Sequence, residues 1–327
     1  MSVAGQASGL DADRRDVSAP PYRLLVWIAG LCIFAALWAF ADEAMPWAQE
    51  YPRARTPPFA RWISAVMRWL VDDATFGLFT FTDLTRFLAS LVEAPYRLVL
   101  GFLSTGLLSG QGSQAVQIAP PLSWIGVIGL FTVAAWFAGG VSLAGLAFGC
   151  LGFILLFGQW DSAMVTLASI VVAVPIGAVG GLLLGIAAWR WRSFERLISP
   201  VLDLMQTIPI FAYLVPILFL FGFGPVSAIV ATIIYAMPPM TRVAVVALRG
   251  VPSEIADLGR MTGCTRRQMT WRVMVPAAAP GLMVGVNQVI MLSLNMVIIA
   301  SMIGAGGLGY DVLAALRRLD IGAGLEA

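Results

Sequence analysis

Lysine and histidine are both missing from the 327-residue chain, so all twenty basic residues are arginine. Without histidine the chain lacks the usual general base at neutral pH and the commonest metal ligand. Cys32, Cys150 and Cys264 stand far apart, each in or beside an apolar stretch. That isolation excludes a paired metal-ligand spacing and a disulfide framework, and leaves them a structural reading. No phosphate-binding loop, serine nucleophile elbow or dinucleotide fingerprint occurs. Any ATP must therefore be hydrolysed by another chain. Charge is scarce too: 12% of residues are charged and 59% are hydrophobic, where soluble domains carry about 25% charged residues. So much apolar surface cannot be hidden in one aqueous core, and much of it must face lipid.

Residues 1–21 mix Asp11, Asp13, Arg14, Arg15 and Asp16 with Ser, Gly and Pro and read as a flexible tail. Leu24 to Ala41 is a continuous apolar run of spanning length, read as a retained anchor rather than a cleaved signal because the preceding tail is long and of mixed charge. Asp42 to Arg68 is rich in Pro and Arg and cannot lie in lipid. From Trp69 to Leu108, apolar residues alternate with Asp72, Asp73, Asp83, Arg86, Glu93 and Arg97, which suits one or two amphipathic helices at the membrane interface. Ser109 to Gln117 is a Gly/Ser/Gln linker. Spans are expected near 121–138, 141–158, 163–189, 204–222, 226–248 and 274–302, with a polar loop over 249–273. Pro175, Pro209, Pro216, Pro238, Pro239 and Pro280 interrupt this region, and in lipid such breaks survive only where neighbouring helices or a cavity satisfy the freed backbone.

Arginine placement sets the expected orientation. The stretch Arg242–Arg272 holds six arginines against Glu254 and Asp257, a net of 6 − 2 = +4, and should be cytoplasmic. Counting back, the turn with Arg190, Arg192 and Arg196 is cytoplasmic, residues 42–120 are periplasmic, and the N-terminus is cytoplasmic. Arg317 and Arg318 fall outside and would have to be held there by packing.

The polar loop carries the most information. After Pro252, Ile255, Leu258 and Met261–Thr262 recur at helical spacing, with Glu254, Asp257 and Arg260 on another face. Gly263 follows where a left-handed C-cap wants glycine. Thr265-Arg266-Arg267-Gln268 has the spacing of a capping box, so a second helix should start at Thr265. A helix–glycine–helix outside the membrane is either a knob for a groove on another protein or an ordinary loop folded on the membrane surface.

The loop resembles the EAA loop of ABC importer permeases: Asp257, Gly263 six positions later, then Val273-Met274-Val275-Pro276. It departs from that pattern in reading Asp257-Leu258-Gly259 where Glu-Ala-Ala is usual, and glycine within a helix costs about 1 kcal/mol relative to alanine. Leu202–Pro209, Tyr213–Pro216, Gly285–Gln288, Val297–Gly304, Gly306–Gly309 and Arg318–Asp320 are similar to the glycine betaine/proline betaine (quaternary amine) branch of these permeases, over about residues 120–327.

This resemblance implies an all-α transmembrane protein: a polytopic helical bundle with a type I ABC importer permease (MetI-like) core and extra N-terminal helices. The division would be a flexible cytoplasmic tail over 1–21, an anchor span with a periplasmic or interfacial segment over 22–120, and the permease transmembrane domain over 121–327. It implies a multi-pass protein of the bacterial inner membrane that is not itself an enzyme. Its partners would be an ABC ATPase holding ATP and Mg, a periplasmic or lipid-anchored substrate-binding protein, a second permease subunit or domain, and membrane lipid. No cofactor, metal or nucleic acid is expected on this chain. The coupling residues would be Glu254, Asp257, Leu258, Gly259, Gly263, Thr265, Val273 and Pro276, pushed together when ATP closes the ATPases. Substrates of this branch are small methylated amines: betaine, choline, carnitine or trimethylamine N-oxide. A different polar solute is the alternative.

Polar residues within spans are candidates to line a path: Gln206, Thr207, Asn287, Gln288, Ser293 and Asn295. Interhelical hydrogen bonding is their competing role. Phe211, Tyr213 and Tyr235 offer faces for a quaternary ammonium, or simply pack. The later spans hold no ionisable residue near mid-membrane, which counts against an ion-coupled secondary transporter. Gly304, Gly306, Gly307 and Gly309 form either the periplasmic gate of the resembling family or a plain turn. In similar permeases another span follows Arg318-Leu319-Asp320, so this sequence reads as a shortened chain or the first part of a longer permease, not expected to transport alone.

Overall fold

The computed structural model describes residues 21–44, 57–75, 77, 80–109 and 116–326. Residues 1–20 of the expected tail, 45–56 of the polar segment and 110–115 of the linker lie outside them. The chain divides into two units at Val66/Met67. In the first unit the apolar run expected from Leu24 to Ala41 is one helix, α1 (Pro21–Ala44). Helix α2 (Phe59–Asp72) crosses the boundary between units.

Helix α3 (Phe81–Leu100) opens the second unit on a capping box. Asp83 N–H donates to Thr80 Oγ1 at 3.1 Å, and Thr80 N–H donates to Asp83 Oδ2 at 3.0 Å. A wide turn, Gly101–Thr105, continues the helix. Its amphipathic character is as expected. Thr85, Val92, Tyr96 and Leu103 form a buried stripe against the bundle, while Glu93 and Arg97 pair at 2.5 Å on the exposed side. Those buried positions recur at sevens and fours, the seam of a packed helix. The ends of the Gly/Ser/Gln linker pair as antiparallel strands, β1 (Leu107–Ser109) and β2 (Val116–Ala119).

Helix α4 (Trp124–Leu156) is two helices merged across Gly139 and Gly140, whose backbones are not helical. This break falls where two expected spans meet. Only Val127 and Ile128 are buried, and most of its Leu, Phe and Trp side chains face outward.

The core is three long helices: α5 (Trp160–Arg190), α8 (Pro225–Arg249) and α12 (Ala279–Ala300). Lipid removes the usual hydrophobic drive for helix pairing, so close backbone approach through small residues takes its place. Gly181 and Gly185 of α5 supply that approach. A Cβ at Gly185 would lie 2.5 Å from Ala244 Cβ and 2.8 Å from the Thr241 carbonyl oxygen; one at Gly181 would lie 2.6 Å from Met240 Cβ. Buried hydroxyls are satisfied within their own helices: Ser169 donates to the Val165 carbonyl at 3.1 Å, Thr232 to Ala228 at 2.7 Å and Thr241 to Met237 at 2.9 Å. Ser293 is fully buried and makes no hydrogen bond.

One expected span is not a single helix. Residues 204–222 divide between α6 (Arg192–Thr207) and α7 (Ile210–Phe221), which meet at a 105° bend. Pro209 has no N–H to continue α6 and drives Ile208 into extended backbone (φ −70°, ψ 132°). The Tyr213 hydroxyl donates to the Met205 carbonyl across the bend. Among the described residues five helices are long and apolar enough to cross a membrane, or six if the bent pair counts as one.

Candidate functional site

The loop after α8 is built as a stopped helix resting on a wider one. Helix α9 (Ser253–Met261) follows Pro252 and ends in a Schellman turn. Gly263 takes φ +73°, its N–H donates to the Arg260 carbonyl at 3.0 Å, and Cys264 N–H donates to the Gly259 carbonyl at 3.1 Å. The expected capping box is present. Thr265 N–H donates to Gln268 Oε1 at 2.9 Å, and Gln268 N–H donates to Thr265 Oγ1 at 3.3 Å, starting α10 (Arg266–Gln268).

The chain then widens into a π-helical segment, Met269–Met274, before the turn α11 (Val275–Ala277). The pyrrolidine ring of Pro276 would crowd the carbonyl four residues back in a regular helix; the wider winding, with Val275 N–H donating to the Thr270 carbonyl, relieves that crowding. Met274 and Ala278 are buried in the core with Met240, Leu248 and Leu282, which ties the loop to α8 and α12.

Gly259 has a packing contact besides the helical cost expected of it. It is buried, and a Cβ there would sit 2.8 Å from Met269 Cε and 3.3 Å from Val273 Cγ2. The missing methyl is the place where α9 lies on the π-helical segment, so the helical cost of glycine is offset by contact. Only the pairing of Gly259 with Met269, ten residues on, could have announced this in the sequence. Asp257 and Arg260 pair at 2.6 Å on the outer side. Leu258 and Met261 are 63% and 85% exposed, an apolar ridge on a rigid helix. Glu254, Gly263, Thr265 and Pro276 are also exposed, while Val273 is half-buried.

The candidate path residues do not share one environment. Asn287, Gln288 and Asn295 lie on the exposed side of α12, and Gln206 and Thr207 are exposed at the end of α6. Tyr213 is buried, edge-on to Tyr235 with ring centroids 6.0 Å apart. With its hydroxyl taken by Met205, it braces the bend between α6 and α7.

After α12 a wide turn (Ser301–Ala305) leads to α13 (Leu308–Arg318) and the short α14 (Ile321–Glu326). Gly304, Gly306 and Gly307 have φ of +107°, +74° and +87°. Gly304 is exposed, but Gly307 and Gly309 are buried. A Cβ at Gly307 would lie 2.6 Å from Thr166 Oγ1, and one at Gly309 would collide with the Ile298 carbonyl and Ser301 Oγ. Sequence reading also missed two ion pairs joining α6 to α8: Asp203 with Arg242, and Glu195 with Arg249 at 2.5 Å.

Residues 177–326 match the family of binding-protein-dependent transport system inner membrane components. The glycine betaine transport system permease protein OpuAB of Bacillus subtilis is 38% identical over 233 residues, covering 70% of this chain and 83% of that protein. The chain belongs to this family. It is a predominantly α-helical, polytopic membrane component of a transport system. This family member is also 37% identical over 298 residues to the trimethylamine N-oxide transport system permease protein TmoV of Ruegeria pomeroyi. That match covers 91% of this chain but 43% of the relative, so the chain spans less than half the relative's length. Among solved structures, the MetNI methionine ABC transporter in inward-facing conformations aligns at a TM-score of 0.45 and 23% identity, over 49% of this chain and 82% of that one.

Proposed function

We propose that this chain forms the membrane path of an ATP-driven, binding-protein-dependent importer of a small methylated amine. It couples to a separate ATPase through residues 253–274. The observation that carries this reading is the Leu258/Met261 ridge, exposed on a helix whose other side is locked through Gly259 onto the π-helical segment. An apolar ridge on a rigid, capped helix is the shape that docks into a groove, and its anchorage in the core lets movement at the ridge reach α8 and α12.

ATP and Mg would be held by that ATPase, and solute would be delivered by a substrate-binding protein on the opposite face. Asn287, Gln288 and Asn295 on the outer side of α12 are out of place against lipid, where polar side chains seek a partner or a cavity. A second permease subunit or domain across this face would complete the path, with Gly304–Gly309 gating it. The excess of arginine supports a cytoplasmic loop, and the spans expected from the sequence alone would set the N-terminus on the same side. The substrate class rests on relatives named for glycine betaine and trimethylamine N-oxide transport.

The test is co-purification with the cognate ATPase together with uptake of labelled trimethylamine N-oxide and glycine betaine. Leu258→Arg with Met261→Glu should lose the ATPase and uptake while the chain still inserts. Gly263→Pro should abolish uptake. Undiminished ATPase recovery from the double variant would overturn the coupling assignment, and indifference of uptake to every methylated amine would overturn the substrate class.

A further inference from the structure

At the end of α5 the loop closes over a cavity of about 470 Å³ lined by Arg190, Trp191, Arg260, Cys264, Arg266 and Met269. That volume lies within the roughly 300–1,000 Å³ range of small-ligand sites. Three guanidinium groups converge on it from separate elements: the last residue of α5, the last turn of α9 and the start of α10. Among the described residues no carboxylate lines it. Arg260 is paired with Asp257, while among the described residues neither Arg190 nor Arg266 has an ion-pair partner. One carboxylate against three guanidinium groups leaves a net positive charge at the cavity, which an entering anion would offset.

Location narrows the anion. Arg190 closes a helix long and apolar enough to cross the membrane, so the cavity opens at the level where that span leaves the hydrocarbon. Trp191 beside it is 60% exposed, the placement of an aromatic anchor at a membrane–water boundary. Arginine forks match phosphate oxygens in two-point hydrogen bonds, and basic pockets beside transmembrane helices take anionic lipid headgroups. We infer that the Arg190/Arg260/Arg266 cavity is a phosphate-binding site occupied by the headgroup of an anionic phospholipid. Such a lipid would join the end of α5 to the α9–α10 loop. The inference needs α5 to cross the membrane and does not depend on the transport reading.

The experiment is native mass spectrometry and thermal unfolding of the full chain in mild detergent, titrated with phosphatidylglycerol, phosphatidylcholine or inorganic phosphate. Phosphatidylglycerol should be retained and should raise the unfolding temperature, with phosphatidylcholine inert. Each arginine removed should weaken retention by about fivefold, so Arg190→Gln with Arg266→Gln should nearly abolish it. Arg192→Gln with Arg196→Gln, on the same surface but outside the cavity, should leave it unchanged. Equal protection by inorganic phosphate would keep the phosphate chemistry but overturn the lipid as its source. Equal loss in both double variants would overturn the site in favour of diffuse surface charge. Unchanged lipid retention in Arg190→Gln/Arg266→Gln, with recovery of the ATPase lost instead, would make the cavity a protein contact and overturn it as well. Lipid retention and unfolding need neither uptake nor ATPase, so the lipid site can fail separately from the proposed function.

Discussion

Thr166 Oγ1 accepts a hydrogen bond from the Leu308 backbone N–H at 3.1 Å, joining α5 to the start of α13 across 142 residues of sequence. The same hydroxyl donates to the Ser162 carbonyl at 2.9 Å. Leu308 N–H belongs to the first turn of a helix, where backbone donors lack intrahelical partners, and the hydroxyl takes the place of a cap. Gly307 is what lets it come so close. The glycine-dense segment is therefore pinned at one end and open at Gly304.

Thr166→Val should remove this link at a cost of about 0.5–1.5 kcal/mol, while Thr166→Ser retains it. Thermal unfolding in detergent would register the difference. Gly309→Ala should be more damaging than Thr166→Val, because its methyl meets the Ile298 backbone carbonyl rather than a movable side chain.

Gly185→Leu should destabilise the bundle by about 1–3 kcal/mol through overpacking against α8. Gly129→Ala, on the outward side of α4 where nothing lies within 4 Å, should raise stability by up to about 1 kcal/mol through helix propensity. Comparing the two variants by midpoint temperature in the same detergent separates packing from helix propensity.

Gly259→Ala brings two opposed effects. Alanine gains about 1 kcal/mol in helix propensity, and its Cβ presses on the flexible end of Met269. Because that end can swing aside, stability should be unchanged or slightly raised. Gly259→Leu has no such escape and should lift α9 off the π-helical segment. The expected sign is lost ATPase recovery with helical circular dichroism intact.

The two ion pairs between α6 and α8 are largely exposed, so each should contribute about 0.2–1 kcal/mol, weakening with salt. A double-mutant cycle on Glu195 and Arg249, read by thermal unfolding at low and high salt, checks this. Exchanging Asp203 and Arg242 should restore what Arg242→Asp loses.

Local signals in the sequence led to local structure. The Thr265–Gln268 capping box, the Gly263 turn and the long apolar runs of α5, α8 and α12 are each encoded within one turn or one helix. They appear where expected. Pro209 marks a break within the span expected over 204–222, but its 105° angle is not legible, because apolar content alone does not tell a straight helix from a bent one. Which side of the amphipathic helix α3 meets protein is not written in its periodicity.

Composition by itself determined that this chain is a polytopic helical membrane protein, because apolar residues in such excess have no aqueous alternative. The spacing of Asp257, Gly263 and Pro276 pointed to the family. Tertiary structure alone decided what the glycines are for. Whether a missing methyl is a helical cost, as at Gly259, or room for another helix, as at Gly185, depends on atoms that arrive from elsewhere in the chain. The same holds for Arg190, Arg260 and Arg266. Seventy-odd residues of sequence separate the first from the others, and only the packing of the loop on the end of α5 brings their charges to one cavity.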